Sequence, residues 1–182
     1  MCSSLPPYSS SAQVRVARRP RIGGTFVIDA ADYGQTGPDF SISADELTGY
    51  AAAIPIELPP DLPLPPDNFS PRLFTRPAKS ATFGVRAGRL IPGLETVPLA
   101  APDPSPDGLW LFGANGHIVV AWRERLDAPF GAPSVAMAGD FQAGIFLRDP
   151  EVSRDCRRLY YVQQEPGPPP AYSTFSLRVA VR

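Results

Sequence analysis

From Ser105 to Arg123 the chain reads SPDGLWLFGANGHIVVAWR, two apolar runs parted by Asn115-Gly116 and led by a Ser-Pro-Asp-Gly turn. Asn-Gly between apolar runs is the strongest short-range hairpin signal, because a type I′ turn takes φ > 0 at both central residues. Pro106 presets φ for the leading turn and Gly108 admits φ > 0 there. The stretch predicts a turn, a strand, a tight turn and a second strand. It constrains the whole chain because the same unit is written again elsewhere.

The copies appear when residues are aligned. Ser105-Pro106-Asp107-Gly108 recurs as Ser43-Ala44-Asp45-Glu46 and as Ser153-Arg154-Asp155-Cys156. Four residues past the turn aspartate stand Leu111, Leu159 and, in the third copy, Gly49; Phe112, Tyr160 and Tyr50 follow at once. The second strand recurs as Val120–Arg123, Val179–Arg182, Leu73–Arg76 and, near the start, Val16–Arg19. Seven residues beyond three of those arginines comes a phenylalanine: Phe26 after Arg19, Phe83 after Arg76, Phe130 after Arg123.

Composition agrees with a folded, turn-rich β chain. At 43% apolar residues and a net charge of −1, the chain is neither an acidic nor a basic disordered polymer. Fifteen Gly and 24 Pro are many, yet below the level of low-complexity sequence. No long segment keeps a 3.6-residue apolar period free of Pro or Gly. Arg15, Arg18, Arg19 and Arg21 form a cluster without acids. It reads as the solvent face of a strand, where charges discourage edge pairing, and not as a nucleic-acid arm. Cys2 and Cys156 are too few for a disulfide framework. No apolar run approaches the ~20 residues of a membrane helix. The first fifteen residues lack the basic and apolar regions of a signal peptide, so with Met1 as the start the expected product is cytoplasmic.

In chain order, residues 1–13 read as a disordered lead-in and 14–182 as one repeat domain. Val14–Arg19 and Thr25–Asp29 read as strands, Ala30–Pro38 as a loop, Phe40–Ser43 and Leu47–Ala53 as strands. Ile54–Pro71, IPIELPPDLPLPPDNFSP, holds seven prolines in eighteen residues and predicts polyproline II or an exposed loop outside any ladder. It falls where the central copy has only Ala-Asn-Gly-His; the last copy carries its own insertion there, Gln164–Pro170.

These residues resemble a family. S-x-D-G, a Leu-aromatic strand, an I/V-x-V-A-x-R strand and A-P-F-G-x-P (Ala128 to Pro133) look like the TolB-like, WD-repeat-like β-propeller repeat of bacteria. Asp149 to Tyr160 is similar to that family's inner strand, turn and next strand. The resemblance covers roughly residues 14–182. Glu46 and Cys156 depart from it where Gly is usual, as do Gly49 and the proline insertions. It implies an all-β fold, a partial β-propeller of about three four-stranded antiparallel blades. Residues of roughly 40–99 and 101–138 would be two complete blades. The N-terminus would supply a third and a fourth strand near Val16 and Phe26, and the C-terminus strands one to three. The uneven count implies an open arc, a truncated gene product or part of an assembly, with Leu111, Phe112, Leu159 and Tyr160 buried between blades. Relatives often lie in the cell envelope, so the resemblance leaves a periplasmic site open.

Signals of chemistry are sparse. The one histidine, His117, follows the Asn-Gly turn and reads as an exposed hairpin residue. No nucleophile elbow, metal-protease pair, phosphate loop or paired-Cys site occurs. Asp45, Asp107 and Asp155 are explained as turn residues. Asp39 and Asp149 each precede the turn serine by four residues, which in the propeller that the resemblance implies would place them at the entry of an inner strand, near the mouth of any central channel. The expectation is a non-enzymatic module for protein–protein interaction or self-assembly, without catalytic residues, metal, cofactor, nucleic-acid partner or membrane insertion. Its partner-binding candidates are Pro63, Pro65 and Pro66 in the proline segment, with Asp39 and Asp149. The alternative is a fragment of a propeller hydrolase or of a ligand-binding propeller.

Overall fold

The computed structural model describes residues 39–52, 70–83, 88–167 and 173–181, together with 12–13, 17–18, 24–25, 27–28 and 35–36. All secondary structure among them is β, and every ladder is antiparallel. Near the N-terminus β1 (Ala12–Gln13) pairs with β4 (Gln35–Thr36), and β2 (Ala17–Arg18) with β3 (Val27–Ile28). Three larger sheets follow. The first is β5 (Ser41–Ile42), β6 (Thr48–Ala52), β7 (Pro71–Thr75) and β8 (Arg89–Leu90), side by side in chain order. The second is β9 (Ala100–Pro104), β10 (Trp110–Ala114), β11 (Ile118–Trp122) and β12 (Ser134–Met137), ordered the same way. The third has three strands, β13 (Phe146–Val152), β14 (Arg158–Glu165) and β15 (Thr174–Val181).

The turn that opens each sheet is built identically. In each, the serine Oγ donates to the aspartate Oδ1, at 2.5 Å for Ser43–Asp45 and 2.6 Å for Ser105–Asp107 and Ser153–Asp155. That Oδ1 accepts from the backbone N–H of Leu47, Leu109 or Arg157 at 2.9–3.1 Å. The serine Oγ accepts in turn from the N–H of Thr48, Trp110 or Arg158 at 2.9–3.1 Å. The fourth turn residue has positive φ in all three: Glu46 62°, Gly108 70°, Cys156 54°. Only glycine meets that conformation without a Cβ penalty, so Gly108 is the relaxed member and Glu46 and Cys156 the strained ones.

The arginine-to-phenylalanine spacing has an equally local cause. Arg123 Nε donates to the Gly108 carbonyl at 2.9 Å, and its guanidinium lies 4.5 Å from the Phe130 ring centre. Arg76 repeats this with the Glu46 carbonyl at 2.7 Å and the Phe83 ring at 4.7 Å. Seven residues are what the chain needs to bring the ring back beneath the cation. Arg19, Phe26 and Arg182 lie outside the described residues.

The core sits between the sheets. Tyr50, Ile91, Leu94, Leu99, Leu111, Val119, Ala121 and Phe130 form one buried cluster joining the first and second sheets. Ala114, Ile118 and Leu147, flanked by Phe112, Met137, Leu159 and Tyr161, join the second and third. Ala51, Phe74 and Phe83 with Phe40 and Ile42 pack on the far side of the first sheet. Gly49 departs from Leu because the Phe40 ring occupies the space a Cβ would need.

Several expectations change. The Asn115-Gly116 connection is a three-residue loop, 115–117, since Ala114 pairs with Ile118; among its residues only Gly116 has positive φ. His117 is half-buried: its Nδ1 accepts from Gly139 N–H at 2.9 Å and its ring lies 4.5 Å from that of Phe141. Pro71 is not in the loop but opens β7 opposite Ala52, a first-strand position that tolerates proline. Gln164 and Glu165 extend β14, and Gln35–Thr36 form a strand inside the expected loop. Ala12–Gln13, at the end of the expected lead-in, pair as β1. Among the described residues no fourth strand covers β15; β3 pairs with β2 instead. Leu111 is fully buried, whereas Phe112 and Leu159, which face each other across a groove between the second and third sheets, and Tyr160, on the third sheet's outward face, are only partly so.

Candidate functional site

The inner strands β5, β9 and β13 lie side by side, and each carries a kink at the same distance from its turn. Asp39 (φ 61°), Ala101 (46°) and Asp149 (48°) all adopt the left-handed region four residues before the turn serine. At the last two the ladder shifts register, and Pro102 and Pro150 follow directly. A bulge of this kind re-aims side chains at a sheet edge.

The bulges open a cavity of about 450 Å³ whose lining includes Asp39, Asp103, Asp149 and Glu151. The two aspartates singled out from the sequence, Asp39 and Asp149, are therefore brought to one place. Burial, more than the nearby Asp149 carboxylate, holds the Asp39 carboxyl above its usual range, while a hydrogen bond from the Ala101 backbone and the Arg148 charge oppose the shift. Asp39 is exposed as a residue, so that burial belongs to its carboxylate and not to its whole surface. Asp103 is pushed up to about 6, chiefly by burial and secondarily by Glu151; the N–H of Val152 partly offsets this. Asp103 was not foreseen. Its Pro-Asp-Pro setting carries no motif, and only its place two residues before Ser105 could have drawn attention to it.

That place has a structural role. Ser41, two residues before Ser43, donates from Oγ to the Pro102 carbonyl on the next inner strand at 2.5 Å. Asp103 Oδ2 accepts from Val152 N–H on the strand after that, at 2.8 Å. Glu151 is the third such residue; it is exposed, and its carboxylate has no hydrogen-bond partner among the described residues. Among those residues no group of three or more His, Cys, Asp or Glu side chains is arranged to hold a metal ion.

The opposite kind of surface covers the third sheet. Phe175, Leu177, Val179 and Val181 of β15 are 63, 75, 51 and 71% exposed. They alternate along the strand and so share one face. Directly paired residues share a face too, which adds Val162 opposite Leu177 and Tyr160 opposite Val179. The alternation in TFSLRVAV is legible in the sequence; that nothing described covers it is not. Pro63, Pro65 and Pro66 lie outside the described residues. No described helix is long and apolar enough to cross a membrane.

Comparison of the chain with protein-family models, curated proteins and solved structures gives no match.

Proposed function

We propose that residues 14–182 form an open arc of propeller-type blades, of the TolB-like kind, acting as a non-enzymatic module for self-association through its terminal sheet. The observation that carries this reading is the apolar outward face of the third sheet, with four side chains on β15 more than half exposed. Monomeric proteins rarely leave a contiguous apolar face of that size open unless it meets a partner.

Aligned positions support it. Tyr50 packs among Leu111, Val119 and Ala121 of the next sheet, and Phe112 packs beside Leu147 and Leu159 of the next. Tyr160 holds the corresponding position on the outward face of the third sheet, where a further sheet of the same type would dock. Glu151, placed to bond to that sheet's inner strand, points the same way, and the outer edge of β15, which pairs with no strand among the described residues, would accept one. The test is light scattering across micromolar concentrations, with Leu177→Arg as the variant. The expected outcome is concentration-dependent association, reduced at least tenfold by the substitution. A wild-type chain that stays monomeric would overturn the reading.

A second reading, a ligand-binding propeller fragment, draws on the cavity that gathers Asp39, Asp103, Asp149 and Glu151. Its ligand would be an organic cation. Asp149→Asn with unchanged association and lost cation binding in calorimetry would favour it.

A further inference from the structure

Between the second and third sheets, on the side of the Ser-x-Asp turns, a groove of about 530 Å³ opens. Its walls are Trp110, Phe112 and Met137 from one sheet and Leu159 from the other, and Arg157 and Arg158 outnumber the one lining carboxylate, Asp107. Trp110 is 42% exposed and lies across the ladder from Trp122, 45% exposed, with ring centres 6.1 Å apart. The volume is that of a ligand site, and the lining is an aromatic wall beside fixed positive charge.

Aromatic grooves of this form take polyproline II segments, whose three-residue turn presents every third side chain along one edge. The chain carries such a segment. In 54–71, Pro60, Pro63 and Pro66 recur every three residues, so that bound as polyproline II they would share one edge about 19 Å long at roughly 3.1 Å per residue. Asp61 and Asp67 would then fall on a single neighbouring edge, and Glu57 precedes them; the segment has no Lys or Arg. Prolines would meet Trp110 and Phe112 while the acids meet Arg157 and Arg158.

We propose that this groove binds an acidic polyproline II segment, and that its occupant is residues 54–71 of a second copy of this chain. The segment joins the end of β6 to the start of β7, the edge of the first sheet opposite the Ser43 turn, whereas the groove opens on the turn side of the other two sheets. The groove of another copy is therefore the one it meets without crossing its own sheet. The inference rests on the reading of the chain as self-associating but uses a surface that meets the β15 face only at Val181 and Arg158, away from Phe175, Leu177 and Val179.

The test titrates a synthetic peptide of residues 54–71 into the full chain and follows tryptophan emission and alkylation of Cys156, which lines the groove and is exposed. The expected result is a saturable emission change with protection of Cys156. Trp110→Ala should weaken it at least tenfold, as should the double variant Arg157→Glu/Arg158→Glu, and added salt should weaken it further. Leu177→Arg should leave peptide binding unchanged, which separates this site from the terminal face. Absence of saturable binding at millimolar peptide overturns the proposal. So does binding seen only when 54–69 is replaced by Asn-Gly, since the chain's own segment would then fill its own groove. If the peptide binds and Leu177→Arg chains still associate, the groove stands and the terminal-face reading falls.

Discussion

Leu111 and Leu159 occupy the same place in two sheets, four residues beyond a turn aspartate, yet Leu111 is fully buried and Leu159 only partly. Leu111 faces the first sheet and is enclosed there, while Leu159 faces the second sheet across a groove that it lines. The local code is shared: both open on the same Ser–Asp turn with bond lengths within 0.1 Å of each other. What differs is the neighbour. Strand and turn are written in the residues themselves, whereas burial is conferred by how closely the facing sheet packs.

The sharpest way to break this comparison is to truncate both leucines. Leu111→Ala should cost about 2–5 kcal/mol, because its cavity is walled on every side. Leu159→Ala should cost roughly half as much, as partial exposure leaves less transfer energy to lose. Equal losses by chemical denaturation would mean that the groove beside Leu159 is closed and the two leucines are enclosed alike.

A smaller effect lies in the bond that ties β9 to β13. Asp103 has a folded pKa of about 6, above its unfolded value of about 3.9. The folded state then binds the extra proton between those values, so stability falls as pH rises from about 4 to about 6 and stays reduced above. Asp103→Asn keeps an oxygen acceptor for Val152 and should remove that slope, raising stability at pH 7 by on the order of 1–3 kcal/mol. Thermal melts at pH 4 and pH 7 check this; an unchanged slope would place the titration elsewhere, on Asp39.

Next in size, Cys156→Gly relieves a left-handed residue and should stabilise the terminal turn by about 1 kcal/mol. Glu46→Gly should gain less, because Glu46 also lies 3.8 Å from Arg76 and 3.9 Å from Lys79. The smallest effect is acidic. Asp45, Asp107 and Asp155 are all held below the usual carboxylate range, first by the serine hydroxyl and then by a backbone N–H. Their contribution is present above the unfolded pKa and fades as pH falls through the folded one. Ser105→Ala should shift the Asp107 titration upward in an NMR pH series while the other two stay put.

Much of the architecture was legible in the chain. The Ser-x-Asp recurrences located all three turns, and the arginine-to-phenylalanine spacing is the stacked pair at Arg76 and Arg123. Asp39 and Asp149 were placed together by counting back from the turn serines. The misses are contacts that no local pattern encodes. His117 is drawn in by Phe141 and Gly139, more than twenty residues away in the chain. Asp103 owes its raised pKa to burial against another strand, and Pro71 is admitted to a ladder because it comes first in its strand.

The claim that the outward face of the third sheet is an association surface is tested most directly by amide exchange at low and high protein concentration. The middle strand Ile118–Trp122, paired on both sides, should be protected equally at both. Those amides of the edge strand Thr174–Val181 that point away from β14 should exchange freely when dilute and gain protection as concentration rises. Protection of β15 that is already complete in dilute solution, and indifferent to concentration, would contradict the account.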